Sequence, residues 1–298
     1  MSWLQIKIPV SPEHADKFED LLLEAGCAAV TFQDAEDNPI FEPDLGTTPL
    51  WQSTVVTGLF SAEHDLETTL EYIRSELPNL LEVDQIAPSV SAEILEDKDW
   101  ERAWMDMYHP MQFGQRLWVC PSWREVPDPN AVNLMLDPGL AFGTGTHPTT
   151  ALCLEWLDSV QFDGLNVIDY GCGSGILGIA ALLLGATHVT AVDIDHQALT
   201  ATRDNLQRNH LDNSLLTAYL PEQVPEIKAD LLIANILAGP LIQLEPTFAK
   251  HLKTGGQLLL SGLLDTQAQE IRNAYEGHFD IKEIKSKDNW IRITATRL

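Results

Sequence analysis

No stretch of this 298-residue chain stays apolar for long. The longest mostly apolar run, Ile176 to Ala186, covers eleven residues and is broken by Gly178 and Gly185, against the roughly 20 that a membrane helix requires. A membrane partner or span is therefore not expected. The beginning, Met1-Ser2-Trp3-Leu4-Gln5-Ile6-Lys7, has no basic region followed by an apolar stretch, so no secretory signal is read and a cytoplasmic location is expected. Cysteine is scarce and unpaired: Cys27, Cys120, Cys153 and Cys172 show no C-x-x-C spacing and no neighbouring histidine cluster. That argues against both a disulfide framework and zinc, so the thiols are expected to be reduced and no metal is expected.

Positive charge is the other shortage. Eighteen lysines and arginines face forty-four acidic side chains, for a net charge of −26. Such a field repels phosphate backbones and anionic lipid within a Debye length of about 8 Å, so direct nucleic-acid binding is not expected. A basic protein is the partner the charge would favour, although acidity can also serve solubility alone. The charge is uneven. Residues 1–95 hold three basic groups (Lys7, Lys17 and Arg74) and eighteen acidic ones, a net charge of −15.

What is present is an ordinary globular composition, 45% hydrophobic and 21% charged, on a chain about twice the usual single-domain length. Two domains follow as the expectation. The first begins with the alternating Trp3 to Ile8 as a strand, then His14 to Ala25 with Phe18, Leu21, Leu22 and Ala25 at helical spacing and Gly26 as a stop. Ala29 to Phe32 and Thr54 to Phe60 read as strands, His64 to Leu77 as an amphipathic helix, and Val83 to Leu95 as extended. The order β-α-β-β-α-β predicts a ferredoxin-like α+β unit over residues 1–95.

Residues 96–130 read as a connector, with a short helix at Asp99 to Tyr108 and a strand at Phe113 to Cys120. Its aromatic side chains, Trp100, Trp104, Tyr108, Phe113, Trp118 and Trp123, fit packing between domains or a stacking surface, and no chemistry is assigned to them. From residue 131 to 298, short β runs alternate with helical periods. Leu165 to Tyr170, Val189 to Asp193, Asp230 to Ala234 and Gln257 to Ser261 read as buried strands, and Ile176 to Leu184, Gln197 to Asn209, Gly239 to Leu252 and Gln267 to His278 as helices. Strict alternation predicts a parallel, doubly wound α/β sheet, which binds ligands beyond the carboxyl ends of its strands.

Three places at that edge carry candidate chemistry. Val167-Ile168-Asp169-Tyr170 runs into Gly171-Cys172-Gly173-Ser174-Gly175 before a helix, a tight turn that brings amide groups to a ligand at a helix N-terminus. Asp193 ends the next strand, about 20 residues on, where a carboxylate accepts ribose hydroxyls. NAD and S-adenosylmethionine both fit these features. Asp169, just before the turn, favours S-adenosylmethionine, because a carboxylate suits its cationic methionine end and repels a pyrophosphate; it can also serve as a turn acceptor. Asn235 ends a buried apolar strand, Leu232-Ile233-Ala234-Asn235, where a polar amide is badly placed for packing and well placed to meet a ligand, or to cap the following helix.

These segments resemble the first, second and fourth motifs of class I S-adenosylmethionine-dependent methyltransferases, with Asn235-Ile236-Leu237 in the place of an Asn-Pro-Pro-Tyr-like sequence. Adding Asp137 to Thr150, Asn235 to Leu241 and Asp97 to Arg102, the resemblance covers nearly the whole chain and is closest to the family that methylates ribosomal protein L11, the PrmA family. That resemblance implies a Rossmann-like catalytic domain and S-adenosylmethionine as methyl donor. The implied substrate is a basic large-subunit ribosomal protein, methylated on lysine side chains and the N-terminal amine through to trimethylated products. It places donor contacts at Phe142, Thr149, Thr150, Asp169, Gly171, Gly173, Asp193 and Asn235, with Asn235 orienting the amine. A monomer is expected. His147, without histidine or acidic neighbours in the sequence, reads as structural rather than as a base. A small-molecule amine methyltransferase, an NAD-dependent oxidoreductase and a non-catalytic adapter are the competing readings.

Overall fold

The computed structural model describes residues 3–36, 38, 40, 46–61, 63–80, 87–95, 105, 108–137 and 145–298. The chain divides into two compact units, Met1–Met105 and Asp106–Leu298. In the first, strands β1 (Trp3–Val10), β2 (Ala29–Asp34), β3 (Thr54–Ser61) and β4 (Ser91–Leu95) form an antiparallel sheet in the order β2-β3-β1-β4, with helices α1 (Ala15–Glu24) and α2 (Leu66–Leu80). This is the β-α-β-β-α-β arrangement anticipated above. Period-two alternation puts Leu4, Ile6 and Ile8 on one face of β1, where they share a core with Phe18, Leu21 and Leu22 of α1 and Ile73 and Leu77 of α2. Asp65 starts α2 by accepting the Glu67 and Thr68 N–H groups, a side-chain cap for amides that have no helical partner.

The second unit begins with a small sheet of β5 (Met111–Phe113), β6 (Leu117–Cys120) and β7 (Val132–Met135). The stretch read as one connector strand is thus two, turned at Gly114 with φ +71°. It is fastened to this unit: Asp158, buried near the end of helix α3 (Pro148–Ser159), accepts the Gln115 N–H at 2.6 Å and the Arg116 N–H at 3.2 Å. Trp100, Trp104 and Met107 lie outside the described residues.

The remaining strands are β8 (Asn166–Tyr170), β9 (His188–Val192), β10 (Leu216–Tyr219), β11 (Ala229–Asn235), β12 (Leu252–Leu264), β13 (Phe279–Lys287) and β14 (Trp290–Arg297). They form a seven-stranded sheet in the order β10-β9-β8-β11-β12-β14-β13. Helices α4 (Ile176–Leu183), α5 (His196–Arg208), α6 (Ala238–His251) and α7 (Ala268–Tyr275) follow β8, β9, β11 and β12. Along β11, Leu231 and Ile233 enter the core shared with α3, α4 and α5, while Leu232 and Ala234 enter the core shared with α6 and α7. A strand buried on both faces reads as a continuous apolar run, which is why these strands stand out in the sequence. The sheet is doubly wound but not wholly parallel. Strand β14 runs antiparallel to β12 because β13 and β14 form a hairpin, closed at Asp288 and Asn289, which take φ +51° and +64°, the twist-compatible turn for a two-residue loop.

Candidate functional site

At the carboxyl end of β8 the chain turns sharply, and Gly171, Gly173 and Gly175 all take positive φ, at +77°, +55° and +79°. Such angles strain any residue with a Cβ. The turn is sewn to the next strand: Gly171 and Cys172 donate their N–H groups to the Val192 carbonyl at 2.7 and 3.0 Å. Asp193, one residue on, accepts the Gly173 N–H at 2.9 Å through Oδ2 and the Asp195 N–H at 3.0 Å through Oδ1. Asp193 is only half-buried and sits where the sheet order places a ligand. The expected pair of glycine turn and edge carboxylate is therefore in direct contact.

Asp169 is buried in β8. Its Oδ2 accepts the Gly178 N–H of the first turn of α4 at 2.8 Å, so the acceptor role left open by the sequence is filled in the structure. Burial pushes its carboxyl up to about 7; the Gly178 bond opposes this, and the nearby Asp193 charge adds to it.

Two residues that the sequence reading passed over brace the turn from α5. Thr202 donates its hydroxyl to the Gly173 carbonyl at 3.1 Å, and Asn205 donates Nδ2 to the Ser174 carbonyl at 2.8 Å. Both are buried. Polar residues at the inward positions of an amphipathic helix are the signal that marks them, since a buried polar group needs a partner.

Asn235 ends β11 at the same edge. Its Nδ2 donates to Thr150 Oγ1 at 3.4 Å, so these two predicted site residues meet across 85 positions of sequence. The cap of α6 is Leu237, with no side-chain cap bond; the helix-cap alternative for Asn235 is not what the structure holds. With Nδ2 directed at Thr150, Oδ1 remains as an acceptor among the described residues. Thr149 is turned the other way. Its hydroxyl lies 2.8 Å from His147 Nδ1 and its N–H donates to the same nitrogen, making His147 the N-cap of α3. The His147 ring also meets Trp290 edge-on at 4.7 Å, and burial lowers its pKa. These contacts give His147 the structural part expected of it. Phe142 lies outside the described residues.

All four cysteines are free thiols, with Cys120, Cys153 and Cys172 buried. Among the described residues, no group of three or more His, Cys, Asp or Glu side chains is placed to hold a metal, and no helix is long and apolar enough to cross a membrane. An open depression of about 560 Å³ lies away from the glycine turn, lined by Glu226, Lys228, Lys250, His278 and Arg297 among others. Its cations answer the carbonyl end of α6, where Arg297 Nε donates to the Ala249 carbonyl at 3.1 Å.

The model of the family described as ribosomal protein L11 methyltransferase (PrmA) matches residues 2–298. The chain is 57% identical over 297 residues to the ribosomal protein L11 methyltransferase of Marinomonas sp. (strain MWYL1), covering 100% of this chain and 99% of that relative. It is 55% identical over 297 residues to the one from Pseudomonas putida (strain GB-1), covering 100% of each. A crystal structure of ribosomal protein L11 methylase from Lactobacillus delbrueckii subsp. bulgaricus superposes with a TM-score of 0.59 at 35% identity, over 64% of this chain and 99% of that one. The agreement runs through both units and not only through the unit that carries the glycine turn, so the chain belongs to the ribosomal protein L11 methyltransferase (PrmA) family.

Proposed function

We propose that this protein acts in the cytoplasm, transferring methyl groups from S-adenosylmethionine to lysine side chains and the N-terminal α-amine of ribosomal protein L11, through to trimethylated products. The observation that carries the reading is the placement of Asn235. Its amide nitrogen is tied to Thr150 and its oxygen left as an acceptor, at the sheet edge where Asp193 holds the glycine turn. Membership of the family supports the substrate.

The residues fit the donor. Asp193 would accept ribose hydroxyls, Gly171 and Gly173 would form the turn that receives the donor, and the buried Asp169 carboxyl, raised to about 7 without the donor, would be drawn to its ionised form by the cationic methionine end. Thr150 and, by resemblance, Thr149 and Phe142 complete the contacts. The group that binds there supplies a methyl activated by a sulfonium.

The chain's own task is to present a neutral amine. A lysine of ordinary pKa is neutral in only about one molecule in 2,500 at pH 7, which adds roughly 4.6 kcal/mol to the barrier, whereas an α-amine adds about 1. Burial beside a second cation lowers the amine pKa, so no dedicated base is needed. Once neutral, the amine donates an N–H to Asn235 Oδ1, which directs its lone pair toward a reacting carbon about 3–3.5 Å away.

Incubation with labelled S-adenosylmethionine and L11 made without its methylations tests the reading. Label is expected in L11, at lysines and the N-terminus, in successive methyl increments. Label in small amines but not in L11 would overturn it.

A further inference from the structure

The glycine turn and the Asn235 segment converge on a side chain with no chemistry of its own. Ile236 follows Asn235 directly and is half-buried. A Cβ on Gly171 would lie 2.3 Å from Ile236 Cγ2, so the first glycine of the turn leaves the space that this methyl group fills. On the other side stands Gly262, at φ +85°. A Cβ there would lie 2.3 Å from the Ile236 carbonyl oxygen and 2.9 Å from its nitrogen. Gly262 sits where the pairing of β12 with β14 shifts register, between Leu260 and Leu263, and this bulge brings the β12 backbone against the backbone of residue 236.

Ile236 is therefore clamped, side chain against the turn and main chain against β12. It cannot shift without carrying Asn235, its neighbour across one rigid peptide. The only side-chain hydrogen bond of Asn235 among the described residues is the one to Thr150, at 3.4 Å. That is long for an amide donor and constrains direction weakly. Steric contact has to supply the remaining orientation.

We propose that Ile236, wedged between Gly171 and Gly262, is the positioning residue that sets Asn235 relative to the donor-binding turn, with its Cγ2 methyl as the contact that matters. The inference rests on the reading of Asn235 as the acceptor for the amine. It joins the donor site and the amine site mechanically: a turn displaced at Gly171 displaces Asn235 as well.

The shape of the side chain separates this role from simple packing. Ile236→Leu keeps volume and hydrophobicity but moves the branch and loses Cγ2; Ile236→Val is smaller but keeps it. If Ile236 only fills space, the leucine variant is the milder change, since volume-conserving swaps are the best tolerated. The positioning role demands the opposite order. In the full-length protein, Ile236→Leu should lower kcat for L11 at saturating donor at least tenfold, with the Kd for S-adenosylmethionine, read by calorimetry, within about threefold of the original. Ile236→Val should stay within about threefold on both. Ile236→Met, which like leucine is unbranched at Cβ and so lacks Cγ2, gives the same reading if the leucine variant does not fold. Leucine retaining kcat, or kcat following side-chain volume across the three variants, overturns the clamp. Asn235→Ala measured alongside keeps the two claims apart: full activity there defeats the amine-acceptor reading itself, whereas loss there with normal Ile236→Leu turnover defeats only the clamp.

Discussion

The two units bury different things. Among the described residues of Met1–Met105, the buried polar side chains are Thr54, Thr57 and Thr69, and no charged group is buried. The second unit buries Asp158, Asp169, Glu245 and Arg292. Each has a partner: the turn amides of Gln115 and Arg116, the Gly178 N–H, His278 and Glu283, respectively. A buried charge costs several kcal/mol unless it is bonded, so such groups persist where the surrounding structure holds them in fixed geometry. Among its described residues the first unit keeps its charge outside the core, where it shapes a field. We propose on this contrast that the second unit, with its fixed interior groups, carries the chemistry and that the first unit serves surface recognition of the substrate.

The largest test of that division removes one side of it. Without residues 1–105, the second unit should bind S-adenosylmethionine with nearly unchanged affinity and lose methylation of L11 altogether. Calorimetry and label transfer report the two quantities separately, and a folded truncated protein that methylates intact L11 at the original rate would show that the first unit is not needed to recognise L11. Next in size is Asn235→Ala. It should lower kcat by about 10² or more while the donor Kd stays within about tenfold, the split expected when a group acts mainly in the transition state. Equal, modest losses in both would make Asn235 structural.

Asp193→Ala should act on the other quantity, weakening donor binding by about 1.5–3 kcal/mol, the range for a lost hydrogen bond to a charged acceptor. Its bonds to the Gly173 and Asp195 amides mean that the turn loosens as well, so the upper part of that range is expected. An unchanged Kd in a folded variant removes Asp193 from the ribose site.

A subtler effect concerns Asp169. Its pKa is raised to about 7 from an ordinary 3.8, so the folded state holds a proton that the unfolded state releases across that interval. Stability should therefore fall as pH rises from about 4 to 7 and level off above. Asp169→Asn keeps an oxygen for the Gly178 N–H and does not titrate. Thermal melts of the variant should lose this slope while the parent protein shows it; parallel melting curves would mean that Asp169 is not the titrating group.

How much of this was legible beforehand follows from how far apart the interacting residues are. The glycine turn and Asp193 belong to consecutive parts of one strand-helix-strand unit, and their spacing alone points to contact. The alternation of buried strands and helices was legible because both faces of the sheet are covered. Thr202 and Asn205 were harder. Their helical spacing with Ala198, Leu199 and Leu206 shows that they face inward, but only the fold shows that they meet the turn. Gly262, a glycine just past the apolar run Leu258 to Leu260, signals a bulge without naming Ile236 as what it accommodates. The fastening of residues 111–120 by Asp158 depends on a contact across 43 positions, which no local pattern carries; hence the connector reading.

The smallest expected effect tests the surface half of the comparison. On α1, Asp16, Asp20 and Glu24 recur at every fourth position and all are exposed, which makes a stripe of negative charge along one helix face. Within residues 1–95 this stripe stands in a net charge of −15. Exposed charges of this kind contribute little to stability, so replacing the three with Asn, Asn and Gln should leave folding unchanged within about 0.5 kcal/mol. Their effect should appear in association. Attraction of a basic substrate over about a Debye length raises the encounter rate and is screened by salt. The variant should therefore show a several-fold lower kcat/KM for L11 at low ionic strength, an unchanged kcat, and a gap that closes as salt is added. A kcat/KM that is equally low at high salt would mean that these side chains touch L11 directly, and the stripe would then belong to the contact surface and not to the steering field.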